Sequence, residues 1–297
     1  MIYTFTPILK PTPWGGTRIR QMKGLPPSDE PIGESWELSA VEGMESVVCG
    51  GPDNGLTLRN LIEKYGVNLL GRRIMEQYAG EFPLLIKFLD SKEWLSLQVH
   101  PDDRIARELE SASQGKAEMW HVIECEPGAQ LIAGFKPGVT VGDYLKAEGR
   151  SELLGLVEHH DVSPGQDFYI APGIIHALGP GCLVAEVQQS CDFTYRVYDY
   201  DRPRELHIDK ARRSLKFNAG RTVSKPIDRF KVETLTVFRP LDILPANDTF
   251  QIIMVLKGTL TLDGITAPEG TTLLISADHG PVRATPGTSA TLLKVKP

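Results

Sequence analysis

Residues Pro83–Asp103 read PLLIKFLDSKEWLSLQVHPDD. In the second half, Leu95, Leu97 and Val99 alternate with Trp94, Ser96, Gln98 and His100. A period of two marks a β-strand with one face in a core, so Gln98 and His100 share the opposite face and line something polar. Pro101 follows, with Asp102 and Asp103 beside it. Proline fits a first helical turn and acidic groups suit a helix N-terminus, which predicts a helix over 101–112. A half-buried strand with a hydrogen-bonded histidine gives the same local pattern, so the pair alone does not specify chemistry.

The same grammar runs outward along the chain. Gly (28) and Pro (22) make up about one residue in six, which implies many turns between many short strands. Apolar periodicity predicts two further helices, over 56–79 and 139–160, the second carrying His159-His160 at its end. Between Phe250 and Ala277, short strands are punctuated by Lys257-Gly258 and Asp263-Gly264, both read as turns. Asn218–Asp228 (NAGRTVSKPID) is polar and reads as a linker. The expected organisation is residues 1–217, β structure with helical insertions, then residues 218–297, a smaller and nearly all-β unit. The fold class is mainly β, with antiparallel sandwich or jelly-roll barrels.

Composition narrows the function. The chain has 297 residues, 41% of them apolar, and a net charge of −6. Such values exclude a disordered chain and disfavour a nucleic-acid binder that works by bulk electrostatics. No apolar run reaches the length of a membrane span, and the N-terminus lacks a signal-peptide pattern. Cys49, Cys125, Cys182 and Cys191 form no CxxC pair. They are expected as small buried residues in a reducing cytoplasm rather than as a disulfide framework.

Three more segments carry chemistry. In GKAEMWHVIE (115–124), Lys116 and Glu118 are two apart and share a face. In GQDFYIAPGIIHALGPG (165–181), a strand at 168–170 enters a Pro-Gly turn and His176 lies just beyond it. His100, Glu118 and His176 thus form a His/Glu/His set brought by separate β segments, with Gln98 as a fourth donor. Imidazole and carboxylate suit Zn²⁺, and three protein ligands plus an open position mark a catalytic site. One carboxylate leaves the site near +1, so the ion remains a good Lewis acid. In EVQQSCDFTYRVYDYDR (186–202), Thr194, Arg196 and Tyr198 share a strand face. Arg196 reads either as an ion-pair partner of Asp199 or Glu186, or as a clamp for an anion or enediolate.

Taken in order, WGG (14–16), GESWELS (33–39), PLLIKFLDSKEWLSLQVHPDD, GKAEMWHVIE, APGIIHALGPG and EVQQSCDFTYRVYDYDR resemble the type I mannose-6-phosphate isomerases (phosphomannose isomerases), in their short bacterial form. The resemblance covers roughly the first 200 residues. It implies a cupin jelly-roll (double-stranded β-helix) with helical insertions. The implied activity is a zinc-dependent interconversion of mannose 6-phosphate and fructose 6-phosphate. It implies Gln98, His100, Glu118 and His176 as metal ligands and Arg196 as a catalytic residue. His121 and Cys191 depart from the pattern, where Tyr and Ser are common. The last 80 residues match in pattern only and are expected to bind no metal.

An aldose–ketose isomerase that works through a cis-enediol needs a base near the carbon, a stabiliser for the enediolate oxygens and a phosphate anchor. Lys116 is the expected acid/base group, its pKa lowered by the neighbouring cation. Arg196 is expected to stabilise the enediolate, because a guanidinium stays protonated. Lys87 is a candidate phosphate contact, against a purely structural reading. His159, His160, His207 and His279 read as caps or solvated groups. Asp102, Asp103 and the Asp199–Arg202 cluster read as helix caps and surface ion pairs. The competing readings are an Fe(II) oxygenase of the same fold and a non-catalytic sugar-phosphate binder.

Overall fold

The computed structural model describes residues 1–217, 226–246 and 248–297. The linker expected at 218–228 lies, for residues 218–225, outside the described residues. Among the described residues, three antiparallel sheets organise the chain. One orders the strands Asp167–Ile170, Glu118–Cys125, Cys182–Gln189, Leu84–Ser91, Glu34–Leu38 and Ile8–Lys10. A second orders Tyr195–Tyr198, Leu97–Val99, His176–Leu178, Gln130–Phe135 and Val157–Asp161. These two face one another as the walls of a jelly-roll barrel, with helices inserted along the chain, so the mainly-β cupin expectation holds.

Strand parity explains how the barrel is filled. On Cys182–Gln189, Leu183, Ala185 and Val187 point outward, into a core shared with Ile252, Met254, Leu274 and Leu293. Cys182 and Val184 point inward, against Trp120, Val122, Leu131 and Leu178. Period-two alternation thus gives one sheet two buried faces, which is why Leu84–Ser91 and Cys182–Gln189 are buried from end to end. The inward positions turn polar toward one end, where Lys87, Glu118, Glu186 and Gln188 sit buried. The five-stranded wall packs its outer face on Tyr144, Leu153 and Ala211 from the inserted helices.

The third sheet holds Lys231–Val237, Val282–Lys296, Gln251–Leu262 and Thr272–Ile275, and continues into Ile2–Thr6 and Val47–Val48. We propose that residues 1–217 and 218–297 form two units that share this sheet, since Ile2–Thr6 pairs with Thr272–Ile275. The interior of the C-terminal unit is apolar, built from Ile253, Val255, Leu260, Leu273 and Leu292.

Three local expectations are corrected. The helix expected over 56–79 is three pieces, Leu58–Tyr65, Val67–Leu70 and Arg72–Gln77. Gly66 and Gly71 break it at φ +46° and +85°, and a Cβ at Gly71 would overlap the Asp248 carbonyl oxygen. The helix expected over 139–160 stops at Ala147, passes through a 3₁₀ turn and becomes the strand Val157–Asp161. His159 and His160 are therefore strand residues; His160 Nε2 lies 3.0 Å from the Ala133 carbonyl. Lys257-Gly258 is not a turn. It is a bulge inside the continuous strand Gln251–Leu262, with Gly258 at φ +79°. The Asp263-Gly264 turn is present, with both residues at positive φ as a tight hairpin requires. The helix at 101–112 appears as Asp103–Glu110, with Asp102 accepting a hydrogen bond from the Ile105 N–H at its start.

Candidate active site and metal centre

Gln98 lies on Leu97–Val99, His100 just past its end, and His176 opens the neighbouring strand, with Gln98 and His176 directly opposed. Glu118 begins its strand on the facing wall. The barrel closes these three segments onto one point: His100 Nε2 and His176 Nε2 are 3.1 Å apart. His100 Nε2 is 3.3 Å from one Glu118 oxygen and His176 Nε2 is 3.2 Å from the other. Gln98 reaches the same point, its amide nitrogen 3.3 Å from His176 Nε2. Ser96 donates to the Gln98 Oε1; a hydroxyl accepts as well as donates, so the amide can present either end.

The hydrogen bonds fix the tautomers. His100 Nδ1 is 2.8 Å from the Phe193 carbonyl and His176 Nδ1 is 2.8 Å from the Ile174 carbonyl. A carbonyl only accepts, so both Nδ1 atoms carry the proton and both Nε2 atoms present lone pairs. Two lone pairs thus face each other beside a fully buried carboxylate whose oxygens have no well-angled hydrogen bond. That donor set fits a divalent cation. Edges of 3.1–3.3 Å match the roughly 3.3–3.4 Å between donors of a tetrahedral site with bonds of about 2.0–2.1 Å. Among the described residues, His100, Glu118 and His176 are the one group of three His, Cys, Asp or Glu side chains close enough to hold an ion.

The electrostatics agree. Burial, aided by the Lys116 charge, pushes His100 down to about 3, so its imidazole is neutral and free to ligate. Burial alone would raise the Glu118 carboxyl, but the Lys116 ammonium beside it outweighs burial and holds the group well below the usual carboxylate range. Lys116 Nζ is 2.9 Å from Glu118 and 3.0 Å from His100 Nε2. Burial lowers Lys116, but Glu118 and Glu186 outweigh burial and the ammonium is favoured.

A cavity of about 500 Å³ opens beside this cluster, lined by Gln98, Lys116, Lys87, Arg196, Glu186 and His207 among others. Arg196 lies opposite Gln98 on the adjoining strand. It pairs with neither Asp199 nor Glu186. Asp199 is buried and accepts hydrogen bonds from Nε and Nη2 of Arg204, each at 2.6 Å, so its cluster is not the surface ion pair expected. Arg196 Nε is buried without a partner. Lys87 is buried, 3.4 Å from Glu186 and 3.7 Å from Glu34, with its ammonium over the Trp36 ring.

Three residues here have no site role in the sequence reading. Glu186 accepts a hydrogen bond from the Trp120 indole, and burial raises its carboxyl; its signal was the even-numbered inward register of Val184 and Gln188. Glu34 accepts from the Trp36 indole within the GESWELS stretch. His207 is half-buried rather than solvated. Its Nδ1 accepts the Arg196 N–H at 3.2 Å, and its own N–H donates to the Arg196 carbonyl at 2.8 Å. The departures His121 and Cys191 turn to structural partners, Asp167 and the Gly115 carbonyl.

The sequence matches the family model for phosphomannose isomerase type I, catalytic domain, over residues 2–121. Mannose-6-phosphate isomerase ManA of Bacillus subtilis (strain 168) is 38% identical over 214 residues, 70% of this chain and 65% of that protein. Mannose-6-phosphate isomerase of Streptococcus mutans is 37% identical over 213 residues, 67% of this chain and 62% of that protein. These matches therefore span a little under two thirds of each relative. The crystal structure of mannose 6-phosphate isomerase from Bacillus subtilis aligns over 100% of this chain and 99% of its own, with a TM-score of 0.86 at 30% identity.

Proposed function

Because the chain belongs to the type I phosphomannose isomerase family, we propose that it interconverts mannose 6-phosphate and fructose 6-phosphate through a cis-enediol. The observation that carries the reading is the meeting of His100, Glu118 and His176 on one point beside a cavity that also holds Lys116 and Arg196. We assign His100, Glu118, His176 and Gln98 as ligands of one Zn²⁺ per chain. When bound there, the ion supplies Lewis-acid polarisation of the sugar oxygens.

The protein groups divide the remaining work. Lys116 is set to carry the proton between C2 and C1 of the sugar. Its ammonium is favoured by the two carboxylates, so an acid form is available, and ligation would draw off the Glu118 charge that favours it. Arg196 holds a permanent charge on the cavity wall with no carboxylate to neutralise it, which suits it to the enediolate oxygens. The His207 backbone and ring fix the Arg196 main chain, so the guanidinium is held from a rigid base. Lys87 is assigned to the substrate phosphate. Its ammonium lies on the cavity wall, 3.4 Å from Glu186.

Among the described residues no helix is long and apolar enough to cross a membrane, and a small sugar phosphate made and consumed inside cells fits a cytoplasmic enzyme. A coupled assay for fructose 6-phosphate from mannose 6-phosphate, with and without chelator, tests the proposal. Turnover that chelation abolishes and Zn²⁺ restores is expected. Absence of isomerisation, or iron content with oxygen uptake, would replace it with one of the competing readings.

A further inference from the structure

At the end of the barrel away from the metal cluster, Cys125 and Cys182 are directly opposed on adjacent antiparallel strands. Glu118 and Cys125 are the two ends of one eight-residue strand, so at about 3.3 Å per residue the pair lies roughly 23 Å from the ligand end. The next pair along the ladder, Gly181 and Glu126, is hydrogen-bonded, with the Glu126 N–H donating to the Gly181 carbonyl at 2.9 Å. Pairs alternate along an antiparallel ladder, so Cys125 and Cys182 occupy the non-hydrogen-bonded register. There the Cα atoms stand about 4.5 Å apart and both side chains leave the sheet on the same side. That separation lies inside the 4.4–6.8 Å window of a disulfide. Both thiols belong to the same cluster within the barrel: Cys182 is fully buried and Cys125 packs against that cluster while remaining partly exposed. The other two cysteines lie elsewhere. Cys191 turns its thiol to the Gly115 carbonyl and Cys49 is exposed beside Thr4.

We propose that Cys125 and Cys182 are a reversible modification site, closing into a cross-strand disulfide when the protein meets hydrogen peroxide. Cys125, the accessible thiol, attacks the peroxide as thiolate. An S–O bond forms, the O–O bond breaks, the sulfur is oxidised by two electrons to sulfenic acid and water is released. The Cys182 sulfur then attacks that sulfur. The S–S bond forms, the S–O bond breaks, and hydroxide leaves with the Cys182 proton as a second water. Burial pushes the Cys182 thiol up to about 11, which makes the second step the slow one and keeps Cys182 from reacting first. A dithiol reductant reverses the bond. The product staples two neighbouring strands, one of which carries Glu118 at its far end and the other Glu186.

The test treats the native full-length protein with hydrogen peroxide, blocks free thiols, and maps non-reduced peptides by mass spectrometry. Expected is a Cys125–Cys182 cross-link about 2 Da lighter than the reduced pair, reversed by dithiothreitol and accompanied by a rise in Tm. The cross-link and the Tm rise should vanish in Cys125→Ser and persist in Cys49→Ser and Cys191→Ser. In Cys182→Ser, Cys125 should instead accumulate as sulfenic and sulfinic acid. Oxidation of Cys125 to sulfinic acid in the wild-type chain with Cys182 left free would overturn the pairing. So would a Cys125 that stays reduced while Cys49 is consumed.

Discussion

Truncating Arg196 to alanine should remove transition-state stabilisation while leaving fold and metal in place. The guanidinium forms no ion pair with the nearby carboxylates, and its Nε has no partner, so truncation orphans no buried charge. The main chain at this position is held by His207 through bonds of 3.2 and 2.8 Å, neither of which involves the lost side chain. The folding cost is therefore limited to packing of a half-buried side chain, about 1 kcal/mol. Losing one charged donor aimed at a developing oxyanion costs about 2.7–4 kcal/mol, or roughly 10²–10³ in kcat. Catalysis should thus fall far more than stability. Steady-state kinetics, zinc content and Tm on the same preparation separate the two. Arg196→Lys should recover part of the loss, since it keeps charge but not the planar fork. An Arg196→Ala enzyme within threefold of wild-type kcat, with zinc bound, would remove Arg196 from the chemistry.

Glu118→Gln removes the one anionic group of the proposed ligand set and leaves the Lys116 ammonium beside a neutral amide. Metal analysis after desalting should find well under one Zn²⁺ per chain, and full occupancy would break the ligand assignment. In the metal-free protein, stability should decline as pH falls through 6.5 toward 3. The unfolded His100 takes a proton near 6.5 while the folded one waits until about 3, so below 6.5 the unfolded state binds more protons. The difference approaches about 5 kcal/mol at the acid end. Urea titrations across that range check it, and a His100→Gln variant should lose this part of the slope. A wild-type curve flat between pH 6.5 and 4 would contradict it. Gly71→Ala should destabilise by more than about 2 kcal/mol, because alanine is strained at φ +85° and its Cβ would overlap the Asp248 carbonyl. A midpoint in urea unchanged from wild type would show that this corner relaxes freely.

The site was legible where chemistry follows strand parity. Gln98 with His100 and Lys116 with Glu118 are each two residues apart, and both pairs do meet in one cluster, with Gln98 and Lys116 on the cavity wall. What parity does not carry is depth and partnership. Asp199 reads as a surface acid from its Asp- and Arg-rich surroundings, yet Tyr195–Tyr198 delivers it into the interior, where Arg204 neutralises it. His207 looks solvated in sequence because its role depends on a helix packing back against Arg196. The broken helix at 58–77 reflects long-range packing. Gly71 is forced to positive φ under Asp248, some 177 positions later in the chain, and no local periodicity records that. The long strand Gln251–Leu262 was divided at Lys257-Gly258 because a bulge glycine and a turn glycine have the same local signature.

The most direct measurement is a titration of chelator-stripped protein with Zn²⁺ while fructose 6-phosphate formation is followed. If His100, Glu118, His176 and Gln98 grip one ion on which isomerisation depends, activity starts at background and rises in proportion to metal. It should break sharply at one equivalent per chain. Full turnover before any metal is added, or a continued rise well past one equivalent, would contradict it.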